Sequence, residues 1–129
     1  MSGEKWVRSI VLLSRPEGMS RQEFNDHWLN VHGQIAKDYP HVIRYSQLHL
    51  VDSDTVGDVE SHDYGIDGIV DFVYDSKENI PKIWESEIGK RGIEDAKLFI
   101  GALREYQVSE HVIVDRIGVG TLATERAAT

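Results

Sequence analysis

The chain offers six histidines, the side chains whose ordinary pKa lies nearest neutrality and which most readily exchange protons there. His27 and His32 stand five residues apart in a segment of helical periodicity. At about 100° per residue, that spacing sets them about 140° from one another. They are expected to flank an apolar stripe on opposite sides and to aim at different points. Nor is this the four-residue spacing that puts two metal-binding histidines on one helix face. Each reads either as a boundary residue, packed and hydrogen-bonded, or as a catalytic group. Gly33, directly after His32, lets other backbone approach closely and favours His32 as a general base.

A second set lies further along. Tyr45, Gln47 and His49 alternate on one face of an extended segment. They line a pocket between sheet and helices, or form a polar patch at a sheet edge or dimer contact. Asp67, beside Gly68, is a candidate acid or orienting carboxylate, whereas Asp71 reads as a solvated strand end. Tyr64, Trp84 and Tyr106 are either pocket walls for a planar ligand or plain core, the latter being the reading for Trp84. His41, His62 and His111 form no constellation. The acidic residues from Asp52 to Asp63 do not fit a calcium loop, and no phosphate-binding loop or nucleophile elbow occurs. With no cysteine there is no disulfide, thiol nucleophile or thiolate zinc site. The expectation is a site without metal or cofactor.

These residues need elements to hold them. Trp6 to Ser14 is β-branched and apolar and ends in turn chemistry at Arg15-Pro16-Glu17-Gly18, so it reads as a strand. Ser20 and Glu23 make a capping box, and Met19 and Phe24 a hydrophobic staple. Phe24, Trp28, Val31 and Ile35 then recur at helical spacing, which predicts a helix from Arg21 to Asp38, stopped by Pro40. His41 to Asp52 reads as a second strand, with Ile43, Tyr45, Gln47 and His49 on one face and Val42, Arg44, Ser46 and Leu48 on the other. Ser53 to Asp63 is a polar loop, long enough to be functional or mobile. Tyr64 to Asp75 reads as a third strand in an antiparallel hairpin with the second. Ser76 to Gly101 is helical but interrupted: Pro81 suits only a first turn, and Gly89 and Gly92 break the apolar stripe. Leu103 to Arg116 reads as a long last strand. Thr121 to Thr129 is a small polar tail expected to fray.

The order β-α-β-β-α-β is the split βαβ of ferredoxin-like domains, an α+β fold with a four-stranded antiparallel sheet. One domain over residues 1–120 suits a chain of 129 residues. Two helices cover one face of such a sheet, and the simplest cover for the other is a second copy, sheet against sheet, in a homodimer. Net charge is −8, with Lys and Arg scattered, which argues against nucleic acid and anionic membranes as partners. There is no membrane-length apolar run. The start, Met1-Ser2-Gly3-Glu4-Lys5-Trp6, lacks the pattern of an export signal, so a cytoplasmic protein is expected. The charge balance fits an enzyme or binding protein for a neutral or apolar small molecule.

The stretch from Leu13 to Ala36, L-S-R-P-E-G-M-S-R-Q-E-F-N-D-H-W-L-N-V-H-G-Q-I-A, resembles the EthD family, with its Pro-Gly-Met-Ser turn, Phe, His-Trp pair and Val-His before a small residue. Arg44-Tyr45-Ser46-Gln47-Leu48-His49 is similar to the family's second strand, Tyr64 through Asp75 to its third, and Glu94-Asp95-Ala96-Lys97-Leu98-Phe99 to the stretch before its last strand. The resemblance implies a dimeric α/β barrel. It also implies a place in ether or aromatic compound degradation, lactone isomerisation or dehydration steps. Any family mechanism that needs a thiol cannot operate here.

Taken together, a cofactor-independent isomerase or lyase acting on a phenol, quinone or lactone is the leading expectation. His32 is the base, His49, Asp67 or His27 the assisting groups, and Tyr45, Trp28, Gln47 and Tyr64 hold the substrate. A cofactor-free oxygenase and a non-catalytic carrier of a hydrophobic intermediate are the alternatives.

Overall fold

The computed structural model describes residues 6–118. Strand β1 (Val7–Ser14) leads to helix α1 (Arg21–His27), a π-helical turn (Trp28–His32) and helix α2 (Gly33–Ala36), all continuous. Strands β2 (Val42–His49) and β3 (Gly68–Tyr74) follow, then helices α3 (Ile80–Glu85) and α4 (Glu87–Phe99), and strand β4 (Ala102–Val108). The strands form one antiparallel sheet in the order β2-β3-β1-β4. This is the expected ferredoxin-like α+β fold. The expected tail, Thr121 to Thr129, lies outside the described residues. Among those described, no helix is long and apolar enough to cross a membrane.

Local signals account for most boundaries. The Ser20 hydroxyl accepts from the Glu23 amide at 3.0 Å, and the Glu23 carboxylate accepts from the Ser20 amide at 2.8 Å, so the capping box forms and starts α1. Pro81 falls in the first turn of α3, where its missing N–H costs nothing. The helical region breaks not at its glycines but at Ser86, whose extended backbone caps α4 through its hydroxyl. Gly89 and Gly92 lie inside α4, where they serve close packing.

Three strand limits differ from the sequence reading. β2 stops at His49, β3 begins at Gly68, and residues 50–67 form one long loop that includes Tyr64. β4 stops at Val108, and residues 109–118 are irregular. A bulge between Val42 and Arg44 returns Val42 to the helix-facing side, so alternation from Val42 onward is not strict.

The core lies between helices and sheet. Phe24, Trp28, Phe99, Ile83, Leu13 and Tyr74 are fully buried there. Each such side chain contributes roughly 1.5–3 kcal/mol by leaving water. The Trp28 indole packs directly on Gly68: a Cβ at residue 68 would stand 2.4 Å from the ring. That close approach is why the strand carries glycine at this position.

On the outer face Asp71 is buried, not solvated. It takes both ends of the Arg8 guanidinium at 3.1 and 2.7 Å, with Arg44 at 3.4 Å. Ile10, Leu12 and Ile69 flank it, and Tyr106 and Val108 on this face are half-exposed.

Candidate active site

His27 and His32 meet at one carboxylate. Asp95, on α4, accepts from His27 Nε2 at Oδ1 and from His32 Nδ1 at Oδ2, each at 2.9 Å. The sequence spacing predicted rings that diverge. The π turn removes the divergence. Its hydrogen bond runs from the Gly33 amide to the Trp28 carbonyl, five residues back, so the turn holds one more residue than an α turn. Five residues then come round to the same side. The Phe99 ring, one turn beyond Asp95, packs against both imidazoles with centroids at 4.7 and 5.2 Å.

The turn is held from the sheet. Gln47 Nε2 donates to the Trp28 carbonyl at 2.9 Å and to the Tyr45 hydroxyl at 2.9 Å. His49 Nε2 donates to Gln47 Oε1 at 2.8 Å, and its ring stacks on Trp28 at 4.4 Å. The three alternating polar residues of β2 thus brace the helix.

A cavity of about 210 Å³ opens between the helices and the sheet. Apolar side chains make most of its wall, among them Val11, Leu13, Val70, Phe72, Ile93 and Ile100. The polar groups on it are few: His32, Tyr39, Tyr45 and Glu105. Its most exposed walls are Leu103 at 53% and Ile93 at 41%, so it opens between β4 and α4. The size suits a single-ring compound.

Charge states follow from burial. Asp95 can only accept, so His32 carries its proton on Nδ1 and Nε2 is the basic atom. Burial pushes His32 below its ordinary 6.5, and His27 adds to that, while the Asp95 carboxylate pulls upward and only partly offsets it. Burial raises Tyr39 and Tyr45, so both phenols stay protonated, Tyr45 accepting from Gln47 while each keeps a proton to donate. Among the described residues no group of three or more His, Asp or Glu side chains is arranged to hold a metal ion.

Of the residues singled out from sequence, His32, Trp28 and Tyr45 line this cavity, and His27 joins them through Asp95. His49 and Gln47 border a separate open groove with Leu29, Gly33, Gln34 and Lys37. Asp67 is elsewhere. Its carboxylate accepts from the Arg15 amide at 2.9 Å and from Arg21 at 3.0 Å, tying the end of β1 to the start of α1. Tyr64 is 78% exposed, in the long loop. Trp84, read as plain core, lines the cavity, and Tyr106 lies on the outer face of the sheet. Asp95, Tyr39 and Glu105 were missed as site residues. The signal for Asp95 was present: with Gly92, Ala96 and Phe99 it falls on the apolar stripe of α4, where a carboxylate is out of place.

The fold and this cavity define a small ferredoxin-like domain with a buried Asp–His set. An EthD domain model matches residues 16–102, and the chain belongs to that family. It is 32% identical over 107 residues to a 4-carboxymethyl-4-methylbutenolide mutase of Pseudomonas reinekei, covering 82% of this chain and 99% of that one. The structure of an EthD family protein of Bacillus halodurans superposes with a TM-score of 0.64 at 24% identity, covering 82% and 99% of the two chains. A protein of the DABB family from Mesorhizobium loti, of ferredoxin-like fold, gives 0.62 at 9% identity over 84% and 99%.

Proposed function

We propose that the protein is an enzyme that moves protons on a small, largely apolar cyclic compound, by isomerisation or elimination and without a bound cofactor. One observation carries this reading. Asp95 grips His27 and His32 together, engaging His32 through Nδ1 so that Nε2 is its basic atom, and His32 lies on the wall of an apolar cavity. Kinship with a butenolide mutase supports a ring substrate with a carbonyl group.

In this reading His32 Nε2 takes a proton from the carbon beside the carbonyl. The electron pair moves onto the carbonyl oxygen. Tyr39 and Tyr45 donate hydrogen bonds to that oxygen, where charge develops. In an isomerisation the same imidazolium returns the proton to another carbon, and composition is unchanged. In an elimination the electron pair returns from the carbonyl oxygen to form the double bond, a hydroxyl on the next carbon departs, and the imidazolium protonates it to water. Asp95 fixes the tautomer and steadies the charged ring, and His27 fixes Asp95. Trp28 and Tyr45 hold the ring of the substrate. His49 and Gln47 act through the π turn. Asp67 and Tyr64 take no part.

Proton exchange tests this without knowing the product. Single-ring lactones and phenols are incubated with the protein in D₂O, and deuterium entry beside the lactone carbonyl, or ortho to the phenol hydroxyl, is followed by NMR. The wild type is expected to exchange at least one of them, and His32→Ala to lose about 10²-fold or more in rate. Undiminished exchange in His32→Ala would overturn the assignment. The outer sheet face, with Ile10, Leu12 and Ile69 unopposed in one protomer, supports a homodimer; sedimentation at the mass of a single chain would refute it.

A further inference from the structure

Glu105 enters the same cavity from the opposite wall. It sits on the helix-facing side of β4, across from Val11, while His32 comes from the helices. Its Oε2 accepts from the Tyr74 hydroxyl at 2.5 Å and from the Ser9 hydroxyl at 2.6 Å. Both donors are fully buried at 0% exposure. Two buried hydroxyls on one oxygen are an anchor: they fix the carboxylate in place and leave Oε1 out of these bonds. Among the described residues no Lys or Arg lines the cavity to balance this charge, and burial disfavours the charged form of His32.

From this geometry we infer that Glu105 selects the substrate: a neutral single-ring compound whose own hydroxyl donates to Glu105, in preference to a carboxylate-bearing one, which sets this site apart from that of the mutase relative, named for a carboxymethyl compound. The inference rests on the cavity being the substrate site, as proposed above. Its physical basis is simple. A second carboxylate would enter an apolar space beside a fixed one with no cation at hand, and like charges so placed cost on the order of a hundredfold in affinity. A hydroxyl on the ligand instead gains a charge-assisted hydrogen bond. The site thereby separates phenols and enols from acids of the same size. Glu105 is a specificity residue in this scheme and takes no proton in the reaction.

Binding of three matched probes tests it by calorimetry at pH 7.5. They are 4-methylphenol, neutral with a donor; 4-methylanisole, neutral without one; and 4-methylbenzoate, an anion. The wild type is expected to bind 4-methylphenol best, 4-methylanisole about tenfold more weakly, and 4-methylbenzoate on the order of a hundredfold more weakly. In Glu105→Gln the penalty on 4-methylbenzoate should shrink at least about tenfold, with the other two changing less. Binding of 4-methylbenzoate as tight as that of 4-methylphenol, binding of none of the three, or an unchanged ratio in a folded Glu105→Gln would overturn the inference. The wild-type ratio decides alone if the variant does not fold. Selective binding without any turnover would leave this inference standing while the enzyme reading failed.

Discussion

The Tyr39 hydroxyl occupies the place a side chain at Gly92 would need: a Cβ there would stand 1.9 Å from the phenol oxygen. The contact brings Tyr39 against α4 and fixes one wall of the cavity, with the Trp84 ring edge-on at 5.3 Å behind it. Gly92→Ala should therefore displace Tyr39. Overpacking of this kind costs about 1–3 kcal/mol. The roughly 1 kcal/mol gained by removing glycine from a helix interior offsets it only in part. Urea unfolding should report a net loss of stability, and ligand binding should weaken with it.

Asp95→Asn keeps the shape of the side chain and removes its charge. Asp95 raises the pKa of His32, and burial lowers it. Without the carboxylate the His32 pKa falls further, so the acid limb of a pH–rate profile should move to lower pH. The base becomes weaker and loses its fixed tautomer, and kcat/KM should fall by about 10²–10⁴-fold. Rate profiles of both proteins from pH 4 to 8 check the direction and the size; an unmoved limb would remove His32 from the role of base.

Stability should depend on pH through the same ring. The folded-state pKa of His32 lies below its ordinary 6.5, and burial lowers His49 as well. Between the folded value and 6.5 the unfolded chain binds more protons than the folded one. The stabilising contribution is thus complete above 6.5 and is lost as pH falls below it. Urea midpoints measured at pH 7.5 and 5.5 should drop in the wild type. They should drop less in His32→Gln, which cannot take the proton.

Asp67→Asn separates stability from chemistry. The carboxylate joins the Arg15 amide and the Arg21 guanidinium, and is held below the ordinary carboxylate range by the Arg15 and Arg21 contacts, against desolvation. The substitution should cost about 1–3 kcal/mol in unfolding free energy. Turnover per folded molecule should stay within a few-fold of the wild type, because Asp67 does not touch the cavity. A large loss of kcat with unchanged stability would return Asp67 to the site.

Much of the fold was legible because its signals are local. The Ser20–Glu23 capping box, the Phe24–Trp28 spacing and Pro40 are read from neighbours in the chain. The missing parts were set by distant contacts. Nothing in the residue types of Trp28 to His32 marks a π turn; Gln47 on β2 and Asp95 on α4 hold it in place. Counting at 100° per residue therefore sent His27 and His32 apart. Glu105 lies in the segment read as the last strand, and nothing around it in the sequence sets it apart. Only its pairing with Ser9 and Tyr74, from two other strands, marks it as anchored. For Asp67 the sequence does not distinguish a site carboxylate from a salt-bridged one, and only the folded chain brings it to Arg15 and Arg21.

The π turn also makes the helix a phase shifter. Everything before Trp28 is rotated by about one residue's worth, near 100°, relative to everything after His32. Deleting a single residue inside the turn would let it relax to α geometry. The two histidines would then stand four residues apart, about 40° from one another, and both halves would keep their faces, whereas forcing all the residues of the turn into α geometry would swing Phe24 away from the core or His32 away from Asp95. Chain length in these five residues is consequently as much a part of the site as the histidines that border them, and a pattern search that allows no gap between His27 and His32 would pass over relatives built without the extra residue.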